Sequence, residues 1–134
     1  MKLNKVILSA AISILSFSAF TLPSYAQEQA YHVIDGNKLD AATYNGFKLY
    51  RNWCARCHGT YGQGMVGPNL ANSLKSISQQ EFDNTVENGK SGTIGSMPPW
   101  KGNTKVMGGL GNIYAYLKAR SDGAIGEIKP KKVK

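Results

Sequence analysis

Residues 51–70 read RNWCARCHGTYGQGMVGPNL. This stretch contains both cysteines of the chain, Cys54 and Cys57, together with His58, one of its two histidines. A glycine-rich run follows the histidine and ends in a Gly-Pro pair, and glycines let a backbone approach a ligand closely. The sequence therefore places two thiols and an imidazole within five residues, directly before a loop that can fold over whatever they bind.

Four kinds of site can use two cysteines at this spacing. A disulfide would close so short a loop that it would constrain the unfolded chain little. A thioredoxin-like pair belongs in an alternating βαβ pattern, which is not visible here. Tetrahedral zinc needs four ligands, and the two thiols and His58 reach that number only with the distant His32. The fourth interpretation also uses the histidine, because Cys-x-x-Cys-His is the attachment motif of a c-type haem. Cys54 and Cys57 would then bind the porphyrin covalently, and His58 would bind its iron.

Residues 1–26 are predicted to be a cleaved secretory signal peptide. Lys2 and Lys5 precede an apolar run over residues 6–20, and Ser24-Tyr25-Ala26 is a small-x-small cleavage site. The run is short for a bilayer span, so we expect no stable membrane insertion after cleavage. The remaining chain would be one small exported domain located in the periplasm.

The positive charge of the chain is concentrated at its C-terminus. The sequence has 16 Lys and Arg against 8 Asp and Glu, a net charge of +8. Four lysines fall within the last six residues, so the rest of the domain lacks the clustered basic face of a nucleic-acid-binding protein. We expect residues 123–134 to form a mobile basic tail, which either keeps the protein in solution or steers it to an acidic partner or an anionic membrane surface.

Three helical patterns predict an all-α fold with long loops. The first runs from about residue 40 to 53 with Asp40 as its N-cap, and the second from 78 to 89 with Ser78 and Glu81 as a capping box. The third begins at about residue 107 or 110 and ends near 119. Residues 39–122 would form a single domain of three or more helices around one covalently attached haem, and residues 27–38 an extension before it.

A haem that only transfers electrons needs a second axial ligand. Met65 lies only seven residues after His58, Met107 begins a helical pattern, and His32 precedes the first helix. Met97 is followed by two prolines that stiffen the backbone, so we predict Met97 as the second iron ligand. Thioether ligation favours reduced iron and leaves no open position, which indicates an electron carrier and not an enzyme. If Met97 dissociated easily, a peroxidase or gas-binding protein would be the alternative.

These residues resemble the small soluble mono-haem cytochromes c with His and Met axial ligands. The motifs that match are the Cys-x-x-Cys-His segment, Gly67-Pro68-Asn69-Leu70 and Met97-Pro98-Pro99-Trp100. The resemblance implies that the carbonyl of Pro68 accepts the proton on His58 Nδ1 and that Leu70 packs on the porphyrin. Trp100 would either hydrogen-bond a haem propionate or have an ordinary packing role.

The resemblance also implies how the helices pack and where electrons leave. The first and last helices should cross with Gly46 of the first against Tyr114 of the last. The exposed haem edge would be rimmed by residues around the cysteines and around Met97. Arg56 and Lys101 are the obvious charges of that rim, so we expect binding to partners to depend only modestly on salt.

Longer strings point to one subgroup of these cytochromes. DGNKLDAATYNGFKLYRNWCARCHG, LANSLKSISQQEF, MPPW and NIYAYLKARSDGAIG look like the periplasmic cytochromes c associated with PQQ-dependent alcohol and methanol dehydrogenases. This resemblance implies a PQQ-dependent dehydrogenase as electron donor and a terminal oxidase or a second cytochrome as acceptor. The alternative is a generic respiratory shuttle between other redox complexes.

Overall fold

The computed structural model of the protein describes residues 29–93 and 95–134. Most of its regular structure is helical, which confirms the predicted mainly helical domain. It also contains short strands, which at two or three residues each are too short to leave an alternating pattern in the sequence. In chain order the elements are β1 (Val33–Ile34), β2 (Lys38–Leu39), α1 (Ala41–Trp53), α2 (Ala55–His58), α3 (Leu70–Ser73), α4 (Gln79–Asn88), β3 (Lys90–Gly92), β4 (Gly95–Met97), α5 (Thr104–Gly108), α6 (Leu110–Ser121) and β5 (Lys131–Lys132).

The predicted caps fix the ends of α1 and α4. The carboxylate of Asp40 accepts a hydrogen bond from the backbone N–H of Thr43 at 2.6 Å. At α4, the hydroxyl of Ser78 accepts one from the backbone N–H of Glu81 at 3.1 Å, and Gly89 ends the helix with a φ of +77°. Each cap satisfies a backbone group that the first or last turn leaves without a helical partner.

Helices α1 and α6 are in close backbone contact at Gly46. A Cβ placed on this glycine would lie 1.7 Å from the carbonyl oxygen of Asn112, so only a glycine lets the two helices approach this far. We predicted Tyr114 opposite Gly46, whereas the atoms nearest to this position are main-chain atoms of Asn112 and Ile113. Tyr114 instead packs against Phe82 of α4, with the ring centroids 5.5 Å apart.

Three aromatic rings form the centre of the core between α1 and α6. Tyr116 lies 5.3 Å from Phe47 and 5.4 Å from Tyr50, measured between ring centroids. Tyr50 and Tyr116 are fully buried, and burial raises the pKa of both phenols, so both stay neutral at physiological pH. The hydroxyl of Tyr50 donates to the carbonyl of Gly59, whereas that of Tyr116 has no hydrogen-bond partner among the described residues.

The C-terminal segment is packed on the domain and does not form the mobile tail predicted for residues 123–134. Strand β5 pairs in parallel with β2, which itself pairs with β1 as an antiparallel hairpin. Backbone hydrogen bonds run from Lys131 to Asn37 at 2.8 Å and from Val133 to Leu39 at 2.9 Å. Ile125 and Pro130 are buried, and these apolar positions hold a segment whose lysines suggested a free end.

The predicted N-terminal extension, residues 27–38, contributes the hairpin to the same small sheet where the structure describes it. The predicted signal peptide, residues 1–26, lies outside the described residues. Within residues 29–93 and 95–134, none of the helices combines the length and the apolar composition that crossing a bilayer requires.

The two buried phenols give a matched test of the core. We expect Tyr50→Phe to lower the free energy of unfolding by about 1–2 kcal/mol, because it removes the hydroxyl donor of the buried Gly59 carbonyl and leaves only the longer contact from the N–H of Gly62 at 3.4 Å. Tyr116→Phe removes a hydroxyl that has no partner in the described structure, so we expect a change of less than about 0.5 kcal/mol or a small gain. Denaturant unfolding of the mature protein measures both, and an equal loss in the two variants would contradict this assignment.

Candidate haem-binding site

The two cysteines and the histidine lie on a single turn at the junction of α1 and α2. The backbone N–H of Cys54 donates to the carbonyl of Tyr50 at 2.9 Å, which makes Cys54 the C-cap of α1. The carbonyl of Cys54 then accepts from the backbone N–H groups of Cys57 and His58 at 3.1 and 3.0 Å. Both thiols are free, so the chain forms no disulfide. The turn presents two thiols and an imidazole from one short piece of chain.

The two thiols have different environments. Cys54 is half-buried and Cys57 is exposed. Burial, followed by the neighbouring Cys57 thiol, raises the pKa of Cys54 to about 12. Cys54 is therefore a neutral thiol at physiological pH, which suits a position in contact with apolar material.

The imidazole of His58 is buried and its ring orientation is fixed. Its Nδ1 lies 3.0 Å from the carbonyl oxygen of Pro68, and only 7% of the residue is exposed. Because a carbonyl can only accept, Nδ1 carries a proton, so in the neutral tautomer Nε2 is the nitrogen with the lone pair that can bind a metal ion. A partner of this kind on the second nitrogen is the usual arrangement for metal-binding histidines.

The loop after His58 folds back over the same turn. The N–H of Gly64 donates to the carbonyl of His58 at 2.8 Å, and the N–H of Gly67 donates to that of Cys57 at 2.7 Å. Gly67 lies flat against the imidazole, because a Cβ on it would be 2.8 Å from Nδ1 of the ring. The loop is closed by the N–H of Leu70, which donates to the carbonyl of Gly62 at 2.8 Å.

Met97 is held by a second hairpin and by the end of α4. It is the last residue of β4 and pairs with Lys90 of β3 in the antiparallel register. Just beyond it, the N–H groups of Trp100 and Lys101 donate to the carbonyls of Val86 and Glu87 at 3.0 and 3.2 Å. These bonds clamp both sides of the Met-Pro-Pro segment, and the Met97 side chain lies half-buried against the core.

The other candidate ligands have different surroundings. Met65 is 65% exposed at the tip of the glycine-rich loop, and His32 is exposed near the start of the described chain. Met107 is half-buried within α5. Among the described residues no three His, Cys, Asp or Glu side chains come together as they would at a zinc site.

Trp53 joins the turn to the Met97 segment and was not singled out from the sequence. Its ring centroid lies 5.9 Å from that of Trp100, with the rings inclined at 71°. Edge-to-face pairs of this kind contribute stability beyond their buried area. The signal in the sequence was a tryptophan directly before Cys54, and nothing in the sequence indicated that it would meet a residue 47 positions away.

The residues of this turn fit a covalently attached haem. Cys54 and Cys57 supply two free thiols from one turn, and the unprotonated nitrogen of a buried, oriented imidazole follows directly. Three further apolar side chains are partly buried and pack against the core: Leu70, Met97 and Trp100. This donor set matches what a c-type haem uses for attachment and for its first axial bond.

The contact between Gly67 and the imidazole provides a test of how this site is organised. We expect Gly67→Ala to force the ring or the loop to move, because the new methyl group would overlap His58. The haem-loaded variant should lose about 1–3 kcal/mol of stability and show an altered optical spectrum.

Gly111→Ala is the matched control for this substitution. Gly111 lies exposed in α6, where an added Cβ meets nothing within 4 Å, so we expect unchanged spectra and equal or greater stability. Spectra and unfolding curves that were the same in both variants would show that the Gly67 contact does not position His58.

Comparisons with known proteins agree with this site. The family described as cytochrome c oxidase, cbb3-type, subunit III, matches residues 41–117, which is more than half of the chain. Cytochrome c-555 of Methylococcus capsulatus is 44% identical over 95 residues, covering 68% of this chain and 74% of the relative. Cytochrome c-553I of Paracoccus denitrificans is 31% identical over 107 residues, and this chain spans 47% of its length.

A solved structure shows the same fold. The crystal structure of the c-type cytochrome XoxG from Methylobacterium extorquens AM1 matches with a TM-score of 0.72 and 37% identity, covering 78% of this chain and 67% of the other. The similarity to this structure includes the arrangement of the helices as well as the haem motif. The chain therefore belongs to this family of c-type cytochromes, and it is an electron carrier with one covalently bound haem c.

Proposed function

We propose that this cytochrome is a periplasmic carrier of single electrons whose haem iron is bound by His58 and Met97. The observation that supports it best concerns His58, the residue directly after Cys57. Its Nδ1 lies 3.0 Å from the carbonyl oxygen of Pro68. That contact leaves Nε2 free to bind iron and fixes the plane of the ring. When bound, the haem supplies an iron that alternates between two oxidation states, one electron apart.

The hydrogen bond to Pro68 determines which nitrogen of His58 would face the iron. The carbonyl of Pro68 keeps the proton on Nδ1, so the ring cannot turn over and present the wrong nitrogen. The hydrogen bond from Nδ1 to this carbonyl also makes Nε2 a stronger electron donor to a metal ion. Gly67 allows the loop to lie against the ring, which restricts the positions that the imidazole can take.

Met97 would supply the second axial bond. The hydrogen bonds of Trp100 and Lys101 to the end of α4 hold the chain beyond it, and the pairing with Lys90 holds the chain before it. A thioether favours the reduced iron more than a second imidazole would, and two filled axial positions leave no site for oxygen or peroxide. This is why we propose electron transfer and not peroxidase or gas-binding activity.

Two further side chains would surround the haem. Leu70 begins α3 directly after the Pro68 contact, which suits an apolar contact with the porphyrin. Trp100 packs edge-to-face on Trp53, and its indole N–H would bind a propionate. Both assignments rest on the cytochrome c pattern together with this placement.

The surface around the attachment turn suits brief contacts with partners. Cys57 is exposed, and the adjacent loop presents Met65 and Val66 with 65% and 75% of their surface exposed. Electron-transfer complexes are typically small and dissociate quickly. A short apolar tip beside the haem attachment site fits such a contact.

We infer that the electron donor is a PQQ-dependent methanol or alcohol dehydrogenase and that the acceptor is a terminal oxidase or a second cytochrome. Support comes from the strings around residues 35–59, 70–82 and 112–126, which look like cytochromes of that subgroup. The similarity to cytochromes of Methylococcus and Methylobacterium agrees with it. Residues 1–26, as a cleaved signal peptide, would direct export to the periplasm.

Stopped-flow mixing tests the proposed donor. We expect a substrate-reduced, PQQ-dependent methanol dehydrogenase to reduce the haem-loaded cytochrome by one electron per chain, at a rate proportional to the enzyme concentration. Ascorbate serves as a control for a haem that can be reduced at all. Reduction by ascorbate and by a quinol-oxidising respiratory complex, but not by the dehydrogenase, would contradict the donor and favour a generic shuttle.

A further inference from the structure

A groove of about 500 Å³ lies beside the haem attachment turn and is lined by positive charge. Lys48 and Arg51 come from α1, and Lys129 comes from the C-terminal segment. No Asp or Glu is found among the described residues that line it. The rest of the lining consists of polar and aromatic residues: Tyr44, Phe47, Asn52, Thr60 and Tyr61.

The groove combines residues that are far apart in the sequence. Lys48 and Arg51 are three positions apart on α1, so their side chains leave the same face of the helix. The guanidinium of Arg51 also reaches the carbonyl of Thr60 at 3.4 Å, across the start of the glycine-rich loop. Lys129 reaches the groove because the C-terminal segment folds back along β2.

A buried arginine holds two sides of the groove in place. Nε of Arg120 donates to the carbonyl of Tyr61 at 2.8 Å, and Nη1 donates to that of Ile125 at 2.7 Å. Its side chain is only 7% exposed. The loop residue Tyr61 and the segment leading to Lys129 are therefore attached to the same guanidinium, so the groove exists before any ligand binds.

The acid of the C-terminal segment does not line the groove. Glu127 is the only acidic residue of the C-terminal segment after Asp122, and its carboxylate lies 3.5 Å from Nη2 of Arg120. Lys48, Arg51 and Lys129 thus share one concave surface with no counter-charge lining it. Their mutual repulsion is relieved when an anion binds, and carboxylates match both the lysines and the planar guanidinium.

We propose that this groove docks an acidic segment of a partner protein, which places the partner beside the attachment turn. The inference rests on the function of the chain as an electron carrier, because Arg51 lies three residues before Cys54 and a partner held there is next to the haem attachment site. It adds three cations to Arg56 and Lys101, which the sequence alone assigned to the rim. Association should therefore depend on salt more steeply than the rim alone predicts.

Nuclear magnetic resonance titration of the oxidised, haem-loaded cytochrome with a hexaglutamate peptide tests this docking site without any redox partner. At low ionic strength we expect amide shifts confined to residues near 48–52, 60–61 and 129, and none with hexaglutamine. Failure here is distinct from failure of the dehydrogenase experiment, because no electron is transferred.

Charge reversal supplies the matched control. We expect Lys48→Glu with Lys129→Glu to weaken hexaglutamate binding about tenfold or more, whereas Lys75→Glu with Lys105→Glu makes the same change in net charge outside the groove and should weaken it less than about threefold. Arg51→Lys keeps the charge and should retain binding. Three results would overturn the proposal. The first is amide shifts spread evenly over the lysines, and the second is an equal loss of binding in the two double variants. The third is the same shifts with inorganic phosphate at equal charge concentration.

Discussion

The hydrogen bond between the imidazole of His58 and the carbonyl of Pro68 determines how the rest of the site is built. It joins two residues that are ten positions apart, so the chain that leaves α2 at His58 must return to the ring before α3 begins. Gly67 is needed at the return because the backbone passes directly over the ring. One polar contact thus fixes the tautomer, the ring plane and the path of the loop at once.

The helices around this site could be predicted from the sequence because their signals are local. Asp40 and Ser78 cap the first turns of their own helices, and apolar positions at helical spacing identify the buried faces. The turn with both cysteines was equally visible, since its spacing reflects the geometry of one porphyrin edge. These features need no knowledge of which segments meet in three dimensions.

Contacts between distant segments could not be predicted in the same way. Gly46 was expected against an aromatic ring and meets the backbone of Asn112, a difference of two residues along α6. The C-terminal segment was expected to be free because its lysines are conspicuous, although the buried Ile125 and Pro130 hold it in place. The groove with Lys129 depends on that packing and on Arg120, so a count of charges along the sequence could not find it.

On this basis electron transfer and partner binding would use two neighbouring but separate parts of the cytochrome. In the proposed coordination the turn with His58 and the Met97 segment would hold the redox centre, and backbone hydrogen bonds fix both segments. The groove beside them is held by Arg120 and by the β1-β2-β5 sheet, so substitutions in the proposed docking site would leave the proposed iron ligands unchanged. Small carriers benefit from such independence because a rigid redox centre must serve more than one partner.

The most direct test of the proposed iron coordination is the proton NMR spectrum of the reduced, haem-loaded protein with isotopically labelled methionine methyl groups. We predict one methyl resonance shifted far upfield by the porphyrin ring current, and its loss in Met97→Leu but not in Met65→Leu. If every methionine methyl resonates at its ordinary position and carbon monoxide binds readily, the iron has an open position and the ligation by Met97 is wrong. A shifted signal that belonged to Met65 or Met107 would contradict it equally.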